Sequence, residues 1–186
     1  MAKESEYLDI LTEEGEKTGE TKPKDDVHRD GDWHKSVHVW VLNSRGELLI
    51  QRRAAQKKSH PNQWDISAAG HVSAGDSPID AAIREFHAEL GILLSEKEIN
   101  YLFEVRANAV LNNGTFFERE INDVYLVKKD LDTLKMRLQE EEVAEVKYIP
   151  WKELKKEIQE ENPEFVRHPM EYEKLFALLR DMRRKP

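Results

Sequence analysis

The 186-residue sequence predicts an α+β fold in which a mixed β-sheet packs between α-helices, an α/β/α sandwich. Three observations carry that expectation. Short β-branched and aromatic runs recur between turn-rich segments. One well-capped amphipathic helix interrupts them near the middle of the chain. Two further amphipathic stretches close the sequence, so hairpins dominate and only one or two crossovers are needed.

Taken in order, YLDIL (7–11) reads as a short strand followed by the turn-rich TEEGEKTGE, and KPKDDVHRDGDWHK (22–35) reads as a polar loop. SVHVWVLN (36–43) and LLIQRR (48–53) form two strands around a hairpin turn at SRGE. After the loop AAQKKSHPNQ, WDISAAGHV gives another short strand. A helix starts after Ser77, with Pro78 at its first position and Asp80 completing a capping-box pattern. Ile79, Ala82, Ile83, Phe86 and Leu90 make its buried stripe, and Gly91 suits a left-handed stop. INYLFEVRANAV and EINDVYLVKK are strands joined at NNG (112–114), and EVAEVKYIPW (142–151) adds one more. WKELKKEIQEE and PMEYEKLFALLRDMRR are amphipathic helices. The whole span 1–186 reads as one domain, with 1–35 an N-terminal extension and 152–186 the C-terminal helices.

Lys and Arg number 29 against 37 Asp and Glu, a formal net charge of −8. That balance disfavours non-specific nucleic-acid binding but not a phosphorylated small molecule, because a metal ion can bridge acidic side chains to an anion. Cysteine is absent, which excludes disulfides, thiolate metal sites and cysteine nucleophiles. No apolar run is long enough to span a membrane, and the acidic N-terminus has no signal-peptide pattern, so the expected location is the cytoplasm. A homodimer is compatible with the sequence and not demanded by it.

Function concentrates in REFHAELG (84–91). Glu85 and Glu89 lie one turn apart, so their carboxylates share a helix face at the edge of the apolar stripe and are expected to be ionised at neutral pH. An isolated E-x-x-x-E is usually a solvated flank, with like charges costing about 0.2–0.5 kcal/mol. A hard divalent cation reverses that sign. The context extends to Gly70, Asp76 six residues later, and Arg84-Glu85-Phe86-His87-Ala88-Glu89-Leu90-Gly91-Ile92.

This 23-residue pattern resembles the Nudix box, with Asp76 replacing the usual glutamate and Ala88 standing where the first acid of a Glu-Glu pair belongs. The resemblance implies a Nudix fold and a Mg²⁺- or Mn²⁺-dependent hydrolase of a small-molecule diphosphate, either a nucleoside diphosphate derivative or a prenyl diphosphate. By position, Glu85 and Glu89 become metal ligands, Glu85 also orients or activates water, and the Gly70 carbonyl is a further ligand. Asp76, Arg84 and Gly91 keep structural roles, Arg84 by orienting Glu85. Ala88 leaves open a non-catalytic diphosphate-binding module.

Much of residues 5–150 is also similar to the Nudix subgroup related to type I isopentenyl-diphosphate isomerase. That resemblance implies a second metal site from His28, His34, His71, Glu118 and Glu120, with Glu120 able to serve as extra ligand or general base in compensation for Ala88. Ala69 stands at the isomerase's catalytic cysteine, and alanine can neither donate nor accept a proton, so hydrolysis is the favoured reading and isomerisation the alternative. Of the remaining histidines, His38 reads as structural on its strand, His168 as a cap or surface residue, and His60 and His87 are unassigned. Arg52 and Arg53 point oppositely, one towards substrate phosphate; Lys57 is a flexible alternative, and Trp64 either packs beneath the site or stacks on a base.

Overall fold

The computed structural model describes residues 6–182; residues 1–5, expected in the N-terminal extension, and residues 183–186, of which 183 and 184 end the expected PMEYEKLFALLRDMRR helix, lie outside the described residues. The strands are β1 (Tyr7–Leu11), β2 (Lys17–Pro23), β3 (His34–Leu42), β4 (Glu47–Arg53), β5 (Trp64–Asp65), β6 (Ala68–His71), β7 (Ile99–Leu111), β8 (Phe116–Lys128) and β9 (Val143–Pro150). The helices are α1 (Lys24–Asp30), α2 (Pro78–Leu90), α3 (Trp151–Gln159) and α4 (Pro169–Met182).

Strand β3 is the hub of a seven-stranded mixed sheet. It runs parallel to β8 from His34 beside Glu120 to Leu42 beside Lys128, and antiparallel to β4 and β6 on its other side. Strand β7 lines the far side of β8, and β5 and β9 pair with β4. The two-residue period of β3 sorts its side chains onto two cores. Val37, Val39 and Val41 join Ala81, Ala82, Phe86 and Leu90 of α2, while Trp40 joins Leu154 of α3 and Tyr172, Leu175, Phe176 and Leu179 of α4. The sheet is therefore sandwiched between helices, as the sequence predicts.

Helix α2 begins and ends where its signals require. Ser77 Oγ accepts from Asp80 N, and Gly91 adopts φ 70° with its N–H donating to His87 O.

Three segments differ from expectation. The polar stretch 22–35 is not simply a loop, because residues 24–30 form α1. Asp25 and Asp26 favour its first turn, Gly31 closes it in the left-handed conformation, and Val27 buries against Leu8 and Ile10. A single apolar residue left no periodicity to detect. The turn-rich TEEGEKTGE contains the start of β2, whose exposed polar residues pair with β1 through the backbone. The expected strand in WDISAAGHV is two: β5 pairs with β4, then the chain crosses to β3 as β6. Ser67 bridges the switch, its hydroxyl donating to Leu49 O at 2.6 Å and accepting from Val41 N at 2.9 Å.

Candidate active site

The N-terminal half of β3 carries His34, Ser36 and His38 on the same face as Trp40, but beyond the reach of the α3–α4 core. A cavity of about 1420 Å³ opens there. Register does the assembling: His34 neighbours Glu120 on β8, and Ser36 neighbours His71 on β6. Helix α1 contributes His28 from its last turn. One potential ligand atom from each of His28, His34, His71 and Glu120 lies within 4.8 Å of the others.

The tautomers of this cluster suit a cation. His28 Nδ1 donates to Phe117 O at 2.9 Å and His34 Nδ1 donates to Asp32 O at 3.0 Å, since a carbonyl can only accept. With Nδ1 donating outward, the neutral form of each ring carries its lone pair on the inward Nε2, the arrangement by which outer hydrogen bonds prepare a metal-binding histidine. His34 Nε2 is buried without a hydrogen-bond partner among the described residues and lies 3.6 Å from Glu120 Oε1. His71 Nε2 is 3.5 Å from the same oxygen and 3.1 Å from His28 Nε2. Two lone pairs cannot face one another at that separation without a proton or a cation between them. Burial lowers the pKa of His28, and burial with the nearby Lys24 charge holds His71 well below its ordinary value. Burial alone would raise Glu120, but the adjoining His34 and His71 rings override it and hold the carboxyl well below its ordinary range.

Glu85 and Glu89 enter the same cavity from α2. A Cβ on Gly70 would fall 2.7 Å from Glu85 Oε2 and closer still to its Cγ and Cδ, so the glycine leaves the space that Glu85 fills. Arg84 pairs with Glu85, donates to His71 O at 3.1 Å and to Ser73 Oγ at 3.2 Å, and lies 3.5 Å from Asp76. It therefore ties the start of the box to its helix. Glu89 is 5% exposed, and its Oε2 accepts from Gln51 Nε2 at 3.0 Å and Ala69 N at 3.2 Å. The expectation that both glutamates are ionised is corrected at Glu89, where burial and the Glu85 charge raise the pKa to about 8. Burial also raises Glu85. Ala88 lines the cavity beside them and is exposed.

The other sequence candidates divide. Glu118 lines the cavity but lies outside the four-donor cluster, with its carboxylate 3.6 Å from His60 Nε2. Arg53 and Lys57 line the cavity, Arg53 held by Asp65 at 3.1 Å and Lys57 paired with Glu142. Arg52 does not line it: its guanidinium pairs with Glu145 at 3.0 Å and sits 6.0 Å from the Trp64 ring. Trp64 does not line it either, being packed in the α3–α4 core with Lys147 Nζ 4.0 Å from its ring. Stacking of Trp64 on a substrate base is thereby corrected.

Sequence reasoning missed Gln51, which holds Glu89, and Glu171, which is 1% exposed. Glu171 had a signal, since it shares the buried stripe of Tyr172, Leu175 and Leu179 at helical spacing. His168 caps α4 as one of its two expected roles, its carbonyl accepting from Tyr172 N at 2.9 Å, while its side chain lines the cavity with Nε2 2.8 Å from Asp65 Oδ1.

Comparison with known proteins agrees with this geometry. The NUDIX domain model matches residues 32–169. Nudix hydrolase 3 of Arabidopsis thaliana is 44% identical over 180 residues, which are 94% of this chain but only 23% of that protein. Isopentenyl-diphosphate Delta-isomerase of Escherichia coli is 32% identical over 146 residues, covering 78% of this chain and 77% of the isomerase. Among solved structures, DR0079 of Deinococcus radiodurans superposes with a TM-score of 0.65 at 22% identity, covering 83% of this chain and 89% of its own, which is a likeness of fold.

Proposed function

The chain belongs to the NUDIX domain family, and we propose that within it this protein is a divalent-metal-dependent hydrolase that cleaves the diphosphate of a nucleoside diphosphate derivative or a prenyl diphosphate. One observation carries the reading. Three of the four clustered donors, His28, His71 and Glu120, line one cavity together with the helix carboxylates Glu85 and Glu89, His34 is buried against them, and the same lining supplies Lys24, Arg53, Lys57 and Arg84. Cations in that lining suit an anionic substrate despite the chain's net charge of −8.

Mixed imidazole and carboxylate donors suit Mn²⁺, while the carboxylate pair suits Mg²⁺. Such an ion supplies Lewis acidity to phosphoryl oxygens and makes water more acidic. The chain's own groups do the rest. Arg53 and Lys57 hold the diphosphate by charge-assisted hydrogen bonds. Glu85, positioned by Arg84 and given room by Gly70, accepts the proton of the attacking water. Glu89, kept in place by Gln51 and Ala69 N, completes the acidic pair.

An isomerase is the second reading, favoured by the histidine cluster and by the likeness to the Escherichia coli enzyme. Ala69 opposes it, because its methyl group lines the cavity and can move no proton. Incubation with Mn²⁺ and a panel of nucleoside and prenyl diphosphates separates the cases. Release of phosphate or a monophosphate, lost at least about a hundredfold in Glu85→Gln, supports hydrolysis. Double-bond migration without phosphate release supports isomerisation, and binding with neither product makes the protein a diphosphate-binding module.

A further inference from the structure

An ion pair in the cavity wall reaches from β4 to the start of α4. Asp65 on β5 stands opposite Gln51, so Arg53 is its diagonal neighbour two residues along β4. Both line the cavity, together with Ser59 and His168. Asp65 is 5% exposed. Burial pushes its carboxyl up, but the His168 ring and the Arg53 guanidinium override that and hold it well below the ordinary carboxylate range. An ionised carboxylate only accepts, so His168 Nε2 carries the proton of its 2.8 Å bond to Asp65 Oδ1.

The two oxygens of Asp65 are divided between partners. Oδ1 takes His168 Nε2 and also Ile66 N at 2.8 Å. Oδ2 takes Arg53 Nη1 at 3.1 Å. A guanidinium carries five N–H donors. Among the described residues three of those on Arg53 are engaged, one by Asp65 and two by Ser59, whose backbone O accepts from Nε and whose Oγ accepts from Nη2, both at 3.2 Å. Arg53 is thus oriented by a single hydrogen bond to carboxylate, and one N–H on each terminal nitrogen is left for another anion.

We infer that His168 is a positioning residue for Arg53: by occupying Asp65 Oδ1 it prevents a two-pronged Arg53–Asp65 pair and keeps the remaining guanidinium N–H groups available to a phosphoryl group. The inference rests on the proposed diphosphate reading and adds a residue to it. Guanidinium and carboxylate readily form two parallel hydrogen bonds when both carboxylate oxygens are open. With the donor at 168 gone, Oδ1 opens, and Arg53 can turn both terminal nitrogens onto Asp65. The protein's own acid then competes with the substrate for the same fork. His168 acts through Arg53 and needs no contact with the substrate. It also ties this clamp to α4, since its carbonyl accepts from Tyr172 N at 2.9 Å in the first turn of that helix.

Inorganic pyrophosphate with Mn²⁺ is the probe, its dissociation constant read calorimetrically on the full chain. His168→Leu removes the donor and is expected to weaken binding about tenfold, the scale of one charge-assisted hydrogen bond. His168→Gln keeps a donor and should stay within about threefold of the unaltered chain. Arg53→Lys should itself weaken binding, and adding His168→Leu to it should change little, because an ammonium has no fork to withdraw. His168→Ala repeats the donor loss should His168→Leu fail to fold. Unchanged affinity in His168→Leu overturns the inference, and so does an equal loss in His168→Gln. A loss that persists undiminished in the Arg53→Lys background overturns it too, since a merely structural role would act there equally. Unchanged affinity in Arg53→Lys alone overturns it whatever the variants at 168 do. Failure of the unaltered chain to bind pyrophosphate overturns the diphosphate reading, and the positioning role with it.

Discussion

Gly70→Ala isolates the approach of α2 to β6. A Cβ there would lie 2.7 Å from Glu85 Oε2, against the 3.4 Å at which ordinary van der Waals contact begins, so that oxygen must retreat by at least 0.7 Å. The Cγ and Cδ atoms are nearer still and must move further. Gly70 is not among the positive-φ glycines, so alanine brings no backbone strain of its own. The three nearest atoms all belong to Glu85, so the effect falls first on Glu85 and on the Arg84 pair that orients it. A displacement near 1 Å in a catalytic group costs roughly a hundredfold in turnover. Crowding of this kind costs about 1–3 kcal/mol in stability. For a chain of 186 residues that is a melting shift of roughly 2–12 °C. Phosphate release with Mn²⁺ and a calorimetric melt on the same sample measure both quantities. A Gly70→Ala protein turning over within threefold of the parent would show that Glu85 does not act from its observed position.

Glu120→Gln removes the one carboxylate of the four-donor cluster and should weaken Mn²⁺ binding at least tenfold by titration calorimetry; an unchanged affinity removes the cluster as a metal site. Ala88→Glu adds a third carboxylate at an exposed, cavity-lining helix position, so it should strengthen Mg²⁺-dependent turnover while costing only about 0.4 kcal/mol of helix propensity. No gain in maximal rate or metal affinity would mean that the site needs no acid at 88. The His38–Glu171 pair predicts a stability profile. Burial lowers His38, but the Glu171 charge and hydrogen bond override it and raise its pKa from 6.5 to about 9, with Glu120 and Asp65 adding to the effect. That contribution, roughly 3 kcal/mol, is complete below pH 6.5 and lost as pH rises through about 9. Glu171 is itself lowered, against burial, by His38, so its contribution is lost as pH falls through the acid range. Thermal melts should decline between pH 6.5 and 9.5 for the parent and far less for Glu171→Gln; equal slopes would assign the decline elsewhere.

Legibility in the sequence followed periodicity and spacing. Helix α2 was readable because Ser77, Pro78, Asp80 and Gly91 mark both ends and five apolar residues repeat at its own period. The β-branched and aromatic run of β3 announced a strand, and its burial on both faces emerged only from the structure. Glu85, Glu89 and Gly70 were readable as a spaced pattern, and the steric reason for the glycine emerged only from the Glu85 side chain beside it. Helix α1 was illegible because it buries little besides Val27 and His28, yet it delivers His28 to the cavity. The partner of His38 lies 133 residues away on α4, and no local rule connects β3 to that helix. Arg52 and Arg53 were separable only into opposite directions; the irregularity in β4–β9 pairing at these residues and the position of Asp65 decide which one reaches the cavity.

Partner counting explains why histidines on adjoining elements take opposite protonation states. His38 has a carboxylate almost to itself, since Glu171 shares only a neutral indole N–H with Trp40, and one positive charge is matched by one negative charge. Around Glu120 a single carboxylate faces both His34 and His71, with His28 against His71. It can balance one proton, and a second imidazolium at these distances would meet like charge in a buried setting. The cluster therefore favours neutral His28 and His71, and leaves His34 Nε2 and His71 Nδ1 without a hydrogen-bond partner among the described residues. A divalent cation relieves that repulsion in one step, satisfying the ring nitrogens and using the carboxylate's charge. The same residue type thus serves as a buried cation beside Glu171 and as a set of inward-facing donors beside Glu120, decided by the ratio of imidazoles to carboxylates that the register of β3, β6 and β8 imposes.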